Sequence, residues 1–416
     1  MRLIYNIGVR LYFLVVYLAS FFNPKAKLWI HGRKNQSFIS LNGCIWFHFA
    51  SLGEFEQGRS VLEQLKLKNP ENKIVITFFS PSGYEIRKNT PLADAVYYLP
   101  LDTQANARQF IDALKPKMVV FTKYEYWYHF FHETHRRNIP LYIISSVFRP
   151  GQVFFKWYGS LHRKMLGFVS HFFVQDEGSK ILLQQLNIQN VTVSGDTRFD
   201  RVWANAQQPK EIALVNEFKN GHKVFIAGST WPQDEQLIAT LVTQYPDWKF
   251  IIAPHEIGEE KIKRLIDLLP EGTAVRYSQL SALTGSEDDL KSQTSNFKSL
   301  IIDNVGMLSS LYQYGDIAYI GGGFGAGIHN TLEAAAFGLP IIFGPNYSKF
   351  KEAHDLIALQ TGFSIVDEAE LEAVICGLAK NDVYKITGEK AKVYVVAHMG
   401  ATAVIINHIK NKTPGA

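Results

Sequence analysis

The chain has 416 residues, 47% of them hydrophobic and 19% charged, with a net charge of +5. That composition excludes a disordered or low-complexity protein, and the length implies two domains of about 200 residues each. The charge is uneven. Arg2, Arg10, Lys25, Lys27, Arg33 and Lys34 stand in the first 35 residues with no acid, leaving 37 basic against 38 acidic side chains elsewhere. A basic arm on a nearly neutral body is not a nucleic-acid footprint, so no nucleic-acid partner is expected. Cys44 and Cys376, far apart in apolar surroundings, suit small core residues in a reducing compartment rather than a disulfide framework or a metal site.

The arm carries the longest apolar run, Leu3–Phe22. About 20 such residues could just span a bilayer, but Asn6 and Arg10 lie inside the run and its tyrosines and phenylalanines favour the interface. No small-residue cleavage site follows, which argues against a secretory signal. The basic residues after the run would keep the next domain on the cytoplasmic side, where anionic lipids attract them. The reading is a membrane anchor or interfacial helix at the inner (cytoplasmic) membrane; a helix docked on the first domain is the alternative.

From Cys44 onward, short apolar runs alternate with helix-length segments. Strands are predicted at Cys44–Ala50, Lys73–Phe79, Ala95–Pro100, Met118–Thr122, Pro140–Ser146, His171–Gln175 and Val191–Gly195. A polar connection, Ala204–Lys210, interrupts the rhythm. It resumes at Lys223–Gly228, Lys249–Pro254, Ser299–Asn304, Ile317–Gly322, Leu339–Pro345 and Gly362–Val366, with a polar surface loop over Leu283–Asn296. Runs apolar throughout predict parallel strands covered on both faces. The expected class is α/β: two Rossmann-like doubly wound domains with ligand loops at the carboxyl ends of their strands, facing a central cleft. The boundaries read as an arm (1–35), an N-terminal domain (36–205), a C-terminal domain (206–395) and a C-terminal helix (396–416).

Five loops after strands carry candidate chemistry. The first is His48-Phe-Ala-Ser51-Leu-Gly53-Glu54, where Glu54 could accept a proton from a hydroxyl, or could close an N-terminal capping box with Ser51. The second is Lys123-Tyr-Glu125-Tyr-Trp127, suited to an anionic or sugar-like substrate or to a plain helix start. The third, Ser229-Thr230-Trp231-Pro232 with Asp234 and Glu235, offers donors to a phosphate or simply caps a helix. The fourth is His255 in APHE. The fifth is the stretch from Ile317 to Pro345, strand, glycine cluster, helix from Asn330, strand. Its glycines would let the backbone approach a phosphorylated ligand, and Asn330-x-x-Glu333 is itself a possible capping box. A dinucleotide fingerprint wants an acid at the end of the next strand; Gly344-Pro345 stands there, so a dehydrogenase is disfavoured.

The segments HFASLGEFEQGR, TKYEYW, FVQDEGSKILLQQLNIQNVTVSGDTRFD, AGSTWPQDEQLI, APHE, GMLSSLYQYGDIAYIGGGFGAGIHNTLEAAAFGLPIIFGP and NYSKFKEA together resemble, in order, the 3-deoxy-D-manno-octulosonic acid (Kdo) transferases of Gram-negative lipopolysaccharide assembly. The resemblance implies a GT-B glycosyltransferase fold, CMP-Kdo as donor, a lipid A precursor (lipid IVA) as acceptor, and no cofactor or metal. By the same resemblance Glu54 matches the general base and Glu125 a second functional acid. Ser229, Thr230, His255, Gly321, Gly322, Gly323, Gly325, Asn330, Thr331 and Glu333 match the donor-nucleotide segments, with Glu333 on the ribose and the Asn330 helix turn on the phosphate. Departures from the family pattern are Lys123 in place of an acid, Pro254 in place of an arginine before the histidine, Gly327-Ile328 in place of paired glycines, and Gly323 in place of a serine. Another GT-B enzyme acting on a UDP-sugar, a transferase or an epimerase, is the alternative; a membrane-tethered scaffold is a third.

Overall fold

A computed structural model describes residues 1–34, 36–282, 294 and 296–412. Most of the loop expected over Leu283–Asn296, and the last four residues of the C-terminal segment, lie outside the described residues.

The chain forms two compact units, Met1–Arg201 with the described part of His398–Ala416, and Val202–Ala397. The first holds a seven-stranded parallel sheet: β1 (Ile45–Phe49), β2 (Ile74–Phe78), β3 (Ala95–Tyr98), β4 (Met118–Thr122), β5 (Leu141–Ser146), β6 (His171–Val174) and β7 (Val191–Val193). Its order is β3-β2-β1-β4-β5-β6-β7. The strands are short and apolar because helices cover both faces. Trp46, Phe110, Phe121 and Phe130 build one layer, and Phe47, Phe49, Phe55 and Phe78 the other. The C-terminal helix Ala401–Lys412 joins the second layer through Ile405, Ile406 and Ile409. Its start is pinned to this unit by Asp200, whose carboxylate accepts from the amides of Gly400 and Thr402. The last segment therefore returns to the N-terminal unit.

The second unit repeats the architecture with β8 (Lys223–Thr230), β9 (Trp248–Pro254), β10 (Ala274–Arg276), β11 (Ser299–Ile301), β12 (Ile317–Ile320), β13 (Ile341–Phe343) and β14 (Gly362–Ser364). The order is β10-β11-β9-β8-β12-β13-β14, all parallel. The edge strand β10 is the one the sequence did not predict.

In each sheet the strands run outward in opposite directions from one central pair, β1 with β4 and β8 with β12, with β10 and β11 exchanged at one edge of the second sheet. At such a reversal the loops leaving the two strands diverge and open a crevice at their carboxyl ends. Those loops are residues 50–54 and 123–127 in the first unit, and 229–232 and 321–330 in the second. They are four of the five loops singled out from sequence; the remaining one, with His255, follows β9.

The arm forms two helices, α1 (Arg2–Ala19) and α2 (Pro24–Lys34). Among the described residues α1 is the one helix long and apolar enough to cross a membrane, with 6% of its length buried. It is nevertheless attached along one side. Tyr5 Oη donates to the buried Asp102 at 2.5 Å, His129 Nε2 lies 2.7 Å from Asn6 Oδ1, and Val9 is buried. In α2, Arg33 lies over the Trp29 ring at 3.7 Å and donates to the carbonyls of Leu99 and Phe79. Burial pulls this guanidinium down to about 9. The opposite side of α1 exposes Ile4, Ile7, Leu11, Leu14 and Leu18, a helical stripe turned outward.

Candidate active site

Glu54 lies in the first turn of α3 (Leu52–Lys68), where the chain turns from β1 into helix. Its Oε2 accepts from the Ala50 amide at 2.5 Å. Ser51 occupies the N-cap, but its hydroxyl makes no cap hydrogen bond, so half of the capping box is present. The carboxyl is mostly enclosed and Glu125 is close by. Burial first, and the Glu125 charge second, hold it up at about 7, against the pull of the Ala50 amide and Lys123. A carboxylate with that affinity for protons near neutral pH is matched to general-base work.

Glu125 comes from the loop after β4. Trp127 Nε1 donates to its Oε2 at 2.8 Å, and His48 Nε2 faces the same oxygen at 3.4 Å. His48 is fully buried on β1 and burial lowers its proton affinity, so it is neutral. Its Nδ1 sits 2.8 Å from Thr77 Oγ1, which also accepts from Trp46 Nε1 at 2.8 Å. The Thr77 hydroxyl itself donates to the Phe47 carbonyl at 3.3 Å. A line of buried hydrogen-bonding side chains, Trp46, Thr77 and His48, thus ends on Glu125. The pairing of β1 with β2 sets it directly opposite: His48 and Thr77 are register partners. This relay was not singled out from sequence.

In the second unit the predicted donor residues gather at the β8/β12 reversal. Ser229 adopts a left-handed backbone (φ 56°), as Lys123 does after β4 (φ 59°), so both crevices hold a non-glycine residue in that costly region. Thr230 is buried, its hydroxyl donating to Glu235 at 3.3 Å. The glycines also serve the chain's own packing. A Cβ on Gly321 would stand 2.3 Å from the Ser229 carbonyl oxygen, and one on Gly323 2.6 Å from Gly344. Gly322 has φ 91° and its amide donates to Asp234. These three glycines let the chain pack against its own backbone; Gly325 alone of the four has ordinary contact distances.

Asp234 ties the two loops together. This buried carboxylate accepts from the amides of Trp231 (2.8 Å) and Gly322 (2.9 Å) and from the Tyr319 hydroxyl (2.7 Å). Above it Trp231, His255 and His329 stack, with ring centroids 4.7 and 4.6 Å apart. Burial, helped by His255, brings His329 down to about 4, so it is neutral. Asn330 caps the short helix Thr331–Ala336 through the Leu332 amide, and its side-chain amide donates to Glu333 at 3.0 Å. Thr331 is buried with its hydroxyl unpartnered. Trp231 was named from sequence only as part of the third loop and His329 was given no role, and aromatic residues beside glycines were the one available signal. Among the described residues no group of three or more His, Cys, Asp or Glu side chains is arranged to hold a metal ion.

Two doubly wound units, with carboxylates at one sheet reversal and a glycine loop at the other, make a GT-B fold of the kind glycosyltransferases use. The solved structure of UDP-GlcNAc 2-epimerase from Neisseria meningitidis superposes with a TM-score of 0.62 over 88% of this chain and 100% of its own, at 16% identity, a likeness of fold alone. Residues 23–201 match the family model of 3-deoxy-D-manno-octulosonic-acid transferase (kdotransferase). The 3-deoxy-D-manno-octulosonic acid transferase of Haemophilus influenzae is 27% identical, covering 74% of this chain and 72% of its own. That of Aquifex aeolicus is 26% identical over 81% of this chain and 86% of its own. A bifunctional glycosyltransferase/methyltransferase of Fusobacterium nucleatum is 25% identical over 85% of this chain, which spans 56% of that longer protein. The chain is thus similar to Kdo transferases, by the family model over residues 23–201 and by these relatives over most of its length.

Proposed function

We propose that the protein transfers Kdo from CMP-Kdo to a lipid A precursor, lipid IVA, in lipopolysaccharide assembly. The observation that carries this reading is Glu54, an enclosed carboxylate held near neutrality beside a second, positioned carboxylate. Glu54 accepts the proton of an acceptor hydroxyl as its oxygen attacks the anomeric carbon of the donor sugar, and CMP departs. Glu125, fixed by Trp127 and His48, keeps Glu54 basic and offers a second acceptor to the incoming sugar. In the C-terminal unit, Ser229, Thr230, His255 and the Gly321–Glu333 segment hold the nucleotide: Glu333 takes the ribose, and the Asn330 turn with the Thr331 hydroxyl takes the phosphate. His255 and the neutral His329 would donate to leaving-group oxygens.

The arm supplies the acceptor's environment. Its outward stripe and basic residues fit a helix lying in an anionic inner-membrane surface, with both units on the cytoplasmic side. The attachment of α1 along one side favours lying over spanning. The test is incubation with CMP-Kdo and lipid IVA followed by mass spectrometry. A mass increase of one or more Kdo residues is expected; no product, with binding of UDP in preference to CMP, would favour a UDP-sugar enzyme instead.

A further inference from the structure

We infer that α1 is a wall of the acceptor site as well as an anchor: the apolar cavity between it and the loop after β3 receives one acyl chain of the acceptor. The inference rests on the lipid acceptor proposed above. The cavity holds about 420 Å³ and is lined by Val9 and Tyr12 of α1, by Phe79, Leu99 and Leu101, and by Trp127. That volume falls within the ~300–1,000 Å³ range of small-molecule pockets.

Three observations choose the occupant. Glu125 itself lines the cavity, so whatever fills it ends beside the carboxylates. The Trp127 ring stacks on Phe79 at 5.0 Å while its N–H holds Glu125. A chain packed on this indole therefore bears directly on the group that orients the second acid. Across α1 lies a second cavity of about 500 Å³, which shares Val9 and Asp102 with the first and adds Arg10 and Arg108. An apolar cavity next to one bearing two guanidiniums suits an amphiphile with an acyl chain and an anionic head. The outward stripe of Ile4, Ile7, Leu11 and Leu14 places both openings at the surface where such lipids reside. Asp102 is the one acid shared by the two cavities. It is buried, pushed up to about 6 by that burial, and already engaged by Tyr5 and the amides of His129 and Phe130.

Gly8 gives the test. It lines the apolar cavity, and a Cβ built on it meets nothing within 4 Å, so a large side chain there fills the space without displacing backbone. Gly8→Phe should raise KM for the acylated acceptor roughly tenfold or more, with CMP affinity and vesicle binding unchanged and Gly8→Ala close to wild type. Independently, a lysophosphatidate bearing a diazirine at the chain end should, on irradiation, mark Leu99, Leu101, Tyr12 or Trp127 in the full-length protein, and these adducts should vanish in Gly8→Phe. Adducts confined to Ile4, Ile7, Leu11 and Leu14, or wild-type KM in Gly8→Phe, would overturn the inference. Failure of the wild-type protein to form any Kdo product would overturn the proposed function instead, while the labelling still decides what the cavity holds.

Discussion

The two units build their crevices from the same topology by different means. In the N-terminal unit the reversal at β1 and β4 is furnished with side chains, and buried hydrogen bonds from Trp46, Thr77, His48 and Trp127 aim them. In the C-terminal unit the reversal at β8 and β12 is furnished mainly with backbone, folded tightly on itself through Gly321, Gly322 and Gly323 and clasped by Asp234. The contrast assigns different fragilities. Substitutions in the first crevice should remove chemistry and leave the fold, whereas substitutions in the second should disturb the fold before they disturb any single contact.

Glu54→Gln is the severest test of the first half of that contrast. Glutamine keeps an oxygen for the Ala50 amide, so CMP affinity and thermal stability should hold while turnover falls by roughly 10²–10⁴-fold. Surviving turnover with a loss of about 1 kcal/mol in stability would make Glu54 a helix-capping residue. For the second half, Gly321→Ala forces a methyl onto the Ser229 carbonyl and should destabilise the C-terminal unit by about 3 kcal/mol in denaturant unfolding. The neighbouring Gly325→Ala, free of such contacts, should change stability by no more than about 0.5 kcal/mol. Equal effects at both positions would dissolve the self-packing argument. Between those two, Asp234→Ala strips the acceptor from two amides and the Tyr319 hydroxyl. It should cost about 1–3 kcal/mol and weaken CMP binding by roughly tenfold, read by calorimetry.

The same contrast explains what the sequence disclosed. Strands such as Met118–Thr122 and Ile317–Ile320 are buried at every position and almost wholly apolar because both faces are covered, and that pattern is unambiguous. The three residues of β10, ending in Arg276 at a sheet edge, carry no such signal. Glu54 and Glu125 were legible because they directly follow strands in loops rich in polar and aromatic residues. The relay behind Glu125 was not, since His48 and Thr77 are 29 positions apart and meet only through the β1–β2 register. Glycine is ambiguous in a different way: a missing Cβ can admit a ligand or the chain's own backbone, and only packing separates the two. Asp234 likewise reads as an ordinary first-turn acid until Gly322 is placed against it.

The central claim, that Glu54 is the base and that Glu125 sets its strength, is tested most directly by the pH dependence of turnover in wild type and in Glu125→Gln. Glu54 is raised from 4.5 to about 7, so activity should climb with pH through about 7 as its proton is lost. The stability sign is opposite: between those values the unfolded chain ionises this carboxyl and the folded one does not, so its contribution to stability declines as pH rises. Removing the Glu125 charge should move the activity limb to lower pH whatever it does to the maximum rate. A limb that stays in place, or a flat profile from pH 5 to 8 in the wild-type protein, on the order of the window a free carboxylate would leave level, would contradict the assignment.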